Sequence, residues 1–171
     1  AASAYEENLA GAVAVAEFLG LNQEEIERGV QKINLGRANS VKRGINGINI
    51  IDSSYSANPS GVIADLDDLK TWPGQPFDKL RVKKIIVMPC LIELGEASKE
   101  IHKKIGQKIA EVCDLAIITT KDRFEEIKEK AGEKAIFIEK PAEIFEKIKS
   151  FCREGDVVLL ESRLPQALIK N

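Results

Sequence analysis

The chain has 171 residues, of which 44% are apolar and 30% are charged, and its formal net charge is −2. This size and apolar content suit one globular domain, or one domain with a small appendage. Acidic and basic residues are interleaved, so no nucleic-acid partner is expected. No apolar run reaches the about 18 residues that a membrane-spanning helix needs, so no membrane partner is expected either.

Cysteine usage and the first residues indicate a cytoplasmic protein. Cys90, Cys113 and Cys152 are far apart and next to apolar residues, and the chain has a single histidine. Metal sites use close groups of such ligands, so we expect no metal site but reduced, buried thiols. Residues 1–20 are apolar but lack the basic region of a signal peptide, and we expect a domain helix there.

Two helices are predicted at the start of the chain. The first covers about Tyr5 to Leu19 and ends at Gly20, because glycine adopts the left-handed conformation of a helix C-cap without a Cβ clash. The second begins after Asn22, whose side chain caps its first turn, and ends near Ile33. A short polar connector follows it.

The rest of the chain alternates between strands and helices. Two short strands, Ser40 to Arg43 and Ile48 to Asp52, flank an Asn-Gly pair, which is the strongest short hairpin signal. Later strands are predicted at residues 83–89, 114–120, 135–139 and 156–161, and later helices at residues 97–113, 122–132 and 141–152, with a terminal turn at 165–171. These strands are near-continuous Ile, Val and Leu runs, as burial on both faces requires. The pattern predicts an α/β fold: a mostly parallel sheet of about six strands with helices on both faces.

Ligands of an open α/β sheet bind beyond the carboxyl ends of its strands. Three loops there carry polar groups: Asp52 to Asn58, Pro89 to Gly95, and Glu161 to Arg163. In the first, Asp52 can accept a hydrogen bond from a ribose hydroxyl and Asn58 can contact an adenine edge, while Pro59 starts a helix whose amides face the loop. Alternatively, Asp52 and Ser53 bind backbone amides and Asn58 only caps the helix.

Two further candidates also have simpler explanations. Glu93 and His102 can form an acid–base pair, although a lone histidine on a lysine-rich helix is more often a surface or half-buried residue. Arg37 can bind a phosphate through its guanidinium group, or it is a solvated loop residue. Neither G-x-x-x-x-G-K-[ST] nor G-x-G-x-x-G occurs, so the sequence shows no glycine loop that would hold phosphates.

Four segments together resemble the Mur ligase family. DSSYSANP, starting at Asp52, is similar to the family's D-D-S-Y-N-A-N-P, and IELGEASKEIHKKIG, starting at Ile92, to its E-L-G-E-x-S-x-x-x-H-x-x-x-G. NLAGAVAVAEFLGL, starting at Asn8, resembles the family's N-A-L-A-A helix, and GRANSVKR resembles its G-R connector. Their order and separation agree, and they are most similar to the MurF type, which adds D-alanyl-D-alanine to a UDP-muramoyl tripeptide.

The resemblance implies part of an ATP-dependent ligase of peptidoglycan precursor synthesis. Such ligases have a UDP-sugar domain, a central P-loop ATPase and a Rossmann-like C-terminal domain. Residues 1–35 would be the last helices of the central domain, and residues 36–171 the C-terminal domain. ATP phosphorylates a substrate carboxylate, and the amine of an amino acid or dipeptide attacks the acyl phosphate.

The resemblance also implies the partners. ATP and Mg²⁺ would be held mainly by the central domain, while the C-terminal domain closes over the nucleotide, binds the incoming amine and excludes water. The partners would be a UDP-muramoyl peptide, an amino acid or dipeptide, and the ligase's own N-terminal and central domains. The chain alone would be inactive. The nucleotide contacts implied by position are Asn8, Arg37, Asp52, Tyr55 and Asn58, and the substrate contacts are Glu93, Gly95, Ser162 and Arg163.

The chain departs from the family's motifs at several positions. The second acid of the first motif is Ser53 here, the G-D before the M-x-E-L-G part is Pro89-Cys90, and the late K-G-S-R-G loop is Glu161-Ser162-Arg163-Leu164. These changes favour a second hypothesis, a Rossmann-like binding or regulatory module that has lost catalysis. A free-standing flavodoxin-like receiver fits less well, because only Asp52 and Glu161 end strands.

Overall fold

The computed structural model describes residues 4–32, 40–54, 58–72 and 81–164. The chain divides into two units, Ala1–Ala38 and Asn39–Asn171. Three of the sequence predictions lie outside the described residues: the contacts of Arg37, the contacts of Tyr55, and the terminal turn at 165–171.

The first unit is a pair of helices, α1 (Ala4–Phe18) and α2 (Gln23–Lys32). Gly20, between them, has a φ of +85°, as its predicted role at the end of a helix requires. Asn22 and Glu25 cap α2 reciprocally: the Glu25 amide donates to Asn22 Oδ1 at 3.0 Å, and the Asn22 amide donates to Glu25 Oε2 at 2.9 Å. Large apolar side chains remain exposed in this unit, namely Val15, Phe18, Leu19 and Leu21.

The second unit is built on a six-stranded sheet. Its strands are β1 (Ser40–Arg43), β2 (Asn49–Ser53), β3 (Lys84–Met88), β4 (Leu115–Ile118), β5 (Ala135–Phe137) and β6 (Val157–Glu161). They lie in the order β1-β2-β6-β3-β4-β5, and every neighbouring pair is parallel except β1–β2. The α/β fold with a mostly parallel, Rossmann-like sheet is therefore confirmed.

The Asn-Gly pair lies where the hairpin was predicted, in a tight connection between β1 and β2. Asn46 and Gly47 both have positive φ angles, of 53° and 73°, within a single 3₁₀ turn at Ile45–Gly47. The Gly44 amide donates to the Ile48 carbonyl at 2.9 Å and closes the turn. The loop is longer than a two-residue turn, but it depends on the same left-handed residues.

Helices cover both faces of the sheet. On one face lie α3 (Pro59–Lys70), α4 (Ser98–Val112) and α5 (Phe124–Ala131), and on the other lies α6 (Pro141–Phe151). Alternate strand residues point to opposite faces. Ile86 and Leu159 contribute to the core under α3, α4 and α5, whereas Ile85 and Val158 contribute to the core under α6. Burial on both faces explains the uninterrupted apolar runs of the sequence.

Gly106 allows α4 to approach α5 closely. A Cβ atom at this position would lie 2.4 Å from the carbonyl oxygen of Ile127, which is a backbone atom and has no rotamer by which to move away. The close packing of α4 against α5 therefore explains why the last position of the E-L-G-E-x-S-x-x-x-H-x-x-x-G segment is a glycine.

We expect Gly106→Ala to destabilise the second unit by roughly 1–3 kcal/mol, because the two helices must separate to admit one methyl group. Urea unfolding followed by circular dichroism measures the change. Gly29→Ala in α2 is the matched control, since a Cβ there meets nothing within 4 Å. Equal stability of the Gly106→Ala variant and the wild type would contradict the close packing.

Candidate functional site

The strand order brings the three polar loops to one edge of the sheet. Strand β6 lies between β2 and β3, and all three run in the same direction. Their carboxyl ends are Ser53, Glu161 and Met88, so the loops that follow them leave the sheet side by side. This is the edge at which open α/β sheets bind ligands.

A pocket of about 200 Å³ opens at this edge. It is lined by Pro89, Cys90, Leu91, Ile92, Glu93, Thr120, Asp122 and Arg163. Two predicted substrate residues, Glu93 and Arg163, thus share one pocket although they come from different strand ends. The pocket combines an apolar wall with two carboxylates and one guanidinium group.

Asp122 and Thr120 are pocket residues that the sequence analysis did not single out. Both belong to the loop that follows β4, the next strand in the order. The Thr120 hydroxyl accepts a hydrogen bond from the Cys90 amide at 2.8 Å and so joins this loop to the one after β3. Strand adjacency was the signal that could have found them, and it becomes available only with the sheet order.

His102 holds the loop after β3 and is not paired with Glu93. The Leu91 amide donates to His102 Nε2 at 3.0 Å, and Nδ1 lies 2.6 Å from the Ser98 carbonyl oxygen. These partners fix the neutral tautomer with its proton on Nδ1. The side chain is fully buried, and burial lowers the pKa of His102 below its usual value. The proposed acid–base pair of Glu93 and His102 is therefore wrong, and the histidine is structural.

The pocket loop has an unusual backbone beyond its His102 anchor. Glu93 has a φ of 63° and Gly95 a φ of 53°, both in the left-handed region. This conformation costs glycine little but is uncommon for other residues. The turn leaves the Glu93 and Gly95 positions exposed, and of the two only Glu93 lines the pocket.

Asp52 and Asn58 already have partners within the chain. Asp52 accepts from the Ser54 hydroxyl at 2.6 Å and from Lys42 Nζ at 3.1 Å. Burial raises the pKa of the Asp52 carboxyl, but the hydrogen bonds from Ser54 and Lys42 lower it more, so the net pKa lies below its usual range. Asn58 Oδ1 accepts from the Gly61 amide at 2.8 Å and caps α3, and Pro59 is the first residue of that helix. Asp52 is thus an ionised hydrogen-bond acceptor at the end of β2.

The loop after β6 has one buried and one exposed candidate residue. Ser162 is fully buried with a φ of 63°, and its amide and hydroxyl both donate to Glu161 Oε1, at 3.1 and 3.2 Å. Arg163, the next residue, is exposed and reaches the pocket. The left-handed turn at Ser162 therefore directs the arginine outward. The remaining candidate, Asn8, is an exposed residue of α1 in the first unit.

Neither a metal cluster nor a membrane-spanning helix is found in the described residues. Across 4–32, 40–54, 58–72 and 81–164, no group of three or more His, Cys, Asp or Glu side chains is arranged to hold a metal ion. Within the same ranges no helix has the length and apolarity needed to cross a bilayer.

A family model decides what kind of domain this is. The model described as "Mur ligase, glutamate ligase domain" matches residues 36–164. The chain belongs to this Mur ligase family. The resemblance stated from the four sequence segments is thereby confirmed, and the matched range contains the whole sheet and every residue of the pocket.

Solved Mur ligases have the same architecture. The MurF ligase of Thermotoga maritima, solved in complex with ADP, is 25% identical with a TM-score of 0.67, covering 95% of this chain and 36% of that chain. A MurF of Acinetobacter baumannii, at 23% identity and a TM-score of 0.67, and a murein peptide ligase Mpl of Psychrobacter arcticus, at 16% and 0.68, share the fold. This Mur ligase chain spans about a third of the length of each, with coverage of 36% and 35%.

The histidine anchor of this Mur ligase domain makes its stability depend on pH. The pKa of folded His102 lies below its value in the unfolded chain, about 6.5. Unfolding therefore takes up a proton below about pH 6.5, and the free energy of unfolding falls as the pH drops further. We expect His102→Gln, whose side-chain oxygen can replace Nε2 as acceptor, to lose this part of the acid sensitivity below about pH 6.5.

Urea unfolding at a series of pH values measures the difference between wild type and His102→Gln. His102→Ala, which leaves the Leu91 amide without its acceptor, should cost about 2–4 kcal/mol at neutral pH. An imidazole that titrates in the folded chain at or above the free value, seen by NMR, would contradict the buried neutral state.

Proposed function

We propose that the chain is part of an ATP-dependent ligase that joins an acid to an amino acid or dipeptide in peptidoglycan precursor synthesis. Residues 36–171 would be its C-terminal domain and residues 1–35 the last helices of its central ATPase domain. The family match and the similarity to a MurF ligase over 95% of this chain support the proposal. The free thiols of the three cysteines agree with a cytoplasmic location.

The observation that carries the proposal is the mixed charge of the pocket. Arg163 offers the paired donors that a carboxylate accepts, while Glu93 and Asp122 attract an ammonium group. Leu91 and Ile92 add apolar wall for a small side chain. A zwitterion such as an amino acid or a dipeptide matches this arrangement, which is the substrate class that the second step of a Mur ligase needs.

The loop after β2 would contact the nucleotide. ATP supplies the phosphoryl group that activates the substrate carboxylate. Asp52 is held ionised by Ser54 and Lys42, so it can accept hydrogen bonds from ribose hydroxyls without first losing a proton. Asn58 fixes the first turn of α3 behind this loop. In the same proposal, the nucleotide is also contacted by Asn8, Arg37 and Tyr55. A central domain would hold most of the ligands of Mg²⁺.

Exposed apolar residues support the assignment of the first unit to a larger domain. Phe18 is 90% exposed and Leu19 is 69% exposed. Side chains of this size at the end of a two-helix unit stabilise a protein only when they are buried, and soluble domains rarely leave several of them together in water. Burial against the rest of a central ATPase domain would remove this exposure.

Movement of the domain would serve the chemistry by excluding water. An acyl phosphate is hydrolysed by water, and closure of the C-terminal domain over the central one removes water before the amine attacks. The pocket and the loop after β2 lie at the same edge of the sheet, so one closing movement would deliver both the amine and the nucleotide contacts.

The test of this proposal is an ATPase assay of the full-length protein with candidate amino acids and dipeptides. We expect Arg163→Ala to raise the KM for the amine substrate roughly 10–100-fold with little change in the KM for ATP, because the paired bonds to the carboxylate are lost. Lys99→Ala, an exposed cation on α4 outside the pocket, is the matched control. An unchanged amine KM in the Arg163→Ala variant would refute the substrate role of the pocket.

The isolated 171-residue chain should bind ATP weakly and hydrolyse none. The reason is that its sequence contains no glycine loop that would hold the phosphates. Isothermal titration calorimetry and a phosphate-release assay measure both properties. Micromolar binding of ATP by this chain alone would show that the nucleotide site does not depend on another domain.

The second candidate is a binding or regulatory module that has lost catalysis. Two departures favour it: Ser53 stands where the family has an acid, and Glu161 begins a late loop without the family's lysine. In that case Asp52→Ala and Arg37→Ala would leave the function of the full-length protein unchanged, whereas a working ligase would lose affinity for ATP in both variants.

A further inference from the structure

A short turn between β4 and α5 brings a carboxylate to the pocket. Asp122 lies in this turn, its position is exposed, and it lines the pocket at the carboxyl edge of the sheet. The Phe124 amide donates to the Lys121 carbonyl at 3.2 Å and closes the turn directly before the helix. The backbone on both sides of Asp122 is therefore fixed.

The charged neighbours of Asp122 in the sequence have other partners. Lys121 Nζ lies 4.9 Å from the centroid of the Phe137 ring. Arg123 Nη1 pairs with Glu126 Oε1 at 3.2 Å. Among the described residues, no hydrogen bond or ion pair engages the Asp122 carboxylate. The carboxylate is therefore available to a ligand that enters the pocket.

Cys90, in the loop after β3, holds the turn from both sides. Its thiol donates to the Thr120 carbonyl and its sulfur accepts from the Arg123 amide, each at 3.4 Å. Its own amide donates to the Thr120 hydroxyl at 2.8 Å. The side chain is 4% exposed, and burial raises the pKa of the Cys90 thiol, so the sulfur keeps the hydrogen that it donates. Asp122 lies between the two residues that Cys90 binds.

The residue type at position 90 matters because one atom both donates and accepts. A carboxylate there would accept from the Arg123 amide, but it would also face the Thr120 carbonyl oxygen, which is a second acceptor, in a buried place. An apolar side chain would make neither bond. Position 90 is where the family's G-D motif has its acid. This chain thus has a thiol at that position and a carboxylate on the adjacent loop after β4.

We propose that Asp122 binds the ammonium group of the incoming amine substrate, and that Cys90 is the positioning residue that holds Asp122 in place through its thiol. The ammonium role rests on the proposed function, whereas the hold of Cys90 on the turn does not. Glu93 also attracts an ammonium group, but it lies at an exposed loop tip and has one more rotatable side-chain bond to fix. The direct contact is therefore assigned to Asp122.

Steady-state kinetics of the full-length protein test the ammonium role. We expect Asp122→Asn to raise the KM for the amine roughly 10–100-fold with little change in the KM for ATP, because the variant keeps the shape but loses a charge-assisted bond. Glu125→Gln, an exposed acid in the first turn of α5 and outside the pocket, is the matched control. An unchanged amine KM in the Asp122→Asn variant would overturn the assignment.

Thiol variants test the positioning role of Cys90. We expect Cys90→Ala to raise the amine KM about 3–10-fold, and Cys90→Ser, whose hydroxyl both donates and accepts, to restore most of the wild-type value. In the Asp122→Asn background, Cys90→Ala should change the amine KM less than about twofold, because the group that it positions is already lost. Cys113→Ala removes a buried thiol outside the pocket and controls for a general loss of packing. Additive effects in the double variant would contradict the positioning role.

Amide hydrogen exchange in the 171-residue chain tests the hold without any substrate. The Arg123 amide donates to the Cys90 sulfur, so it should exchange roughly tenfold faster in Cys90→Ala and near the wild-type rate in Cys90→Ser. Cys90→Val fills the space but makes no hydrogen bond, and should show the same increase even if the alanine variant unfolds. An Arg123 exchange rate that is the same in wild type and Cys90→Val would refute the hold.

Failure of this proposal is distinguishable from failure of the proposed function. A full-length protein without ligase activity on any amine would remove the proposed function and the ammonium role together, while the exchange measurement still decides the hold of Cys90 on the turn. Conversely, an active ligase with an unchanged amine KM in the Asp122→Asn variant would keep the proposed function and remove the assignment of the ammonium group.

Discussion

Insertion of the last strand into the middle of the sheet is the constraint on which the candidate site depends. Strand β6 pairs in parallel with both β2 and β3, so three loops that are far apart in sequence leave the same edge together. Its five residues are all buried, which means that the strand cannot be displaced without exposing apolar surface from both cores. The positions of the pocket and of the Asp52 loop both follow from this one placement.

Local sequence signals were sufficient for the elements but not for their arrangement. Apolar runs predicted the strands, and Gly20, Asn22 and Pro59 marked helix ends correctly because caps depend on a few neighbouring atoms. The strand order depends on contacts between distant segments, which no local pattern contains. Asp122 was missed for that reason. The structural role of His102 was missed, because a buried acceptor for the Leu91 amide cannot be recognised before the loop is placed.

The departures from the family's motifs at Ser53 and Glu161 are neighbours in the sheet. Taken one at a time, each removes a residue type that the family uses and suggests decay of the site. In the fold they lie opposite each other in the pairing of β2 with β6, where the Ser53 hydroxyl donates to Asp65 and the Glu161 side chain is buried. This adjacency becomes visible only with the strand order, which places β6 beside β2.

The His102 side chain also limits how the pocket rim moves. Its two ring nitrogens bind backbone groups at Leu91 and Ser98, so one rigid imidazole fastens both ends of the segment between them. Leu94 packs against the core, which leaves Ile92 and Glu93 as the exposed tip. A short segment fastened in this way has little conformational entropy left to lose, so a ligand that contacts the tip meets a largely pre-organised surface. Variation of Ile92 and Glu93 is therefore the route by which this scaffold could change its ligand while the anchoring residues stay the same.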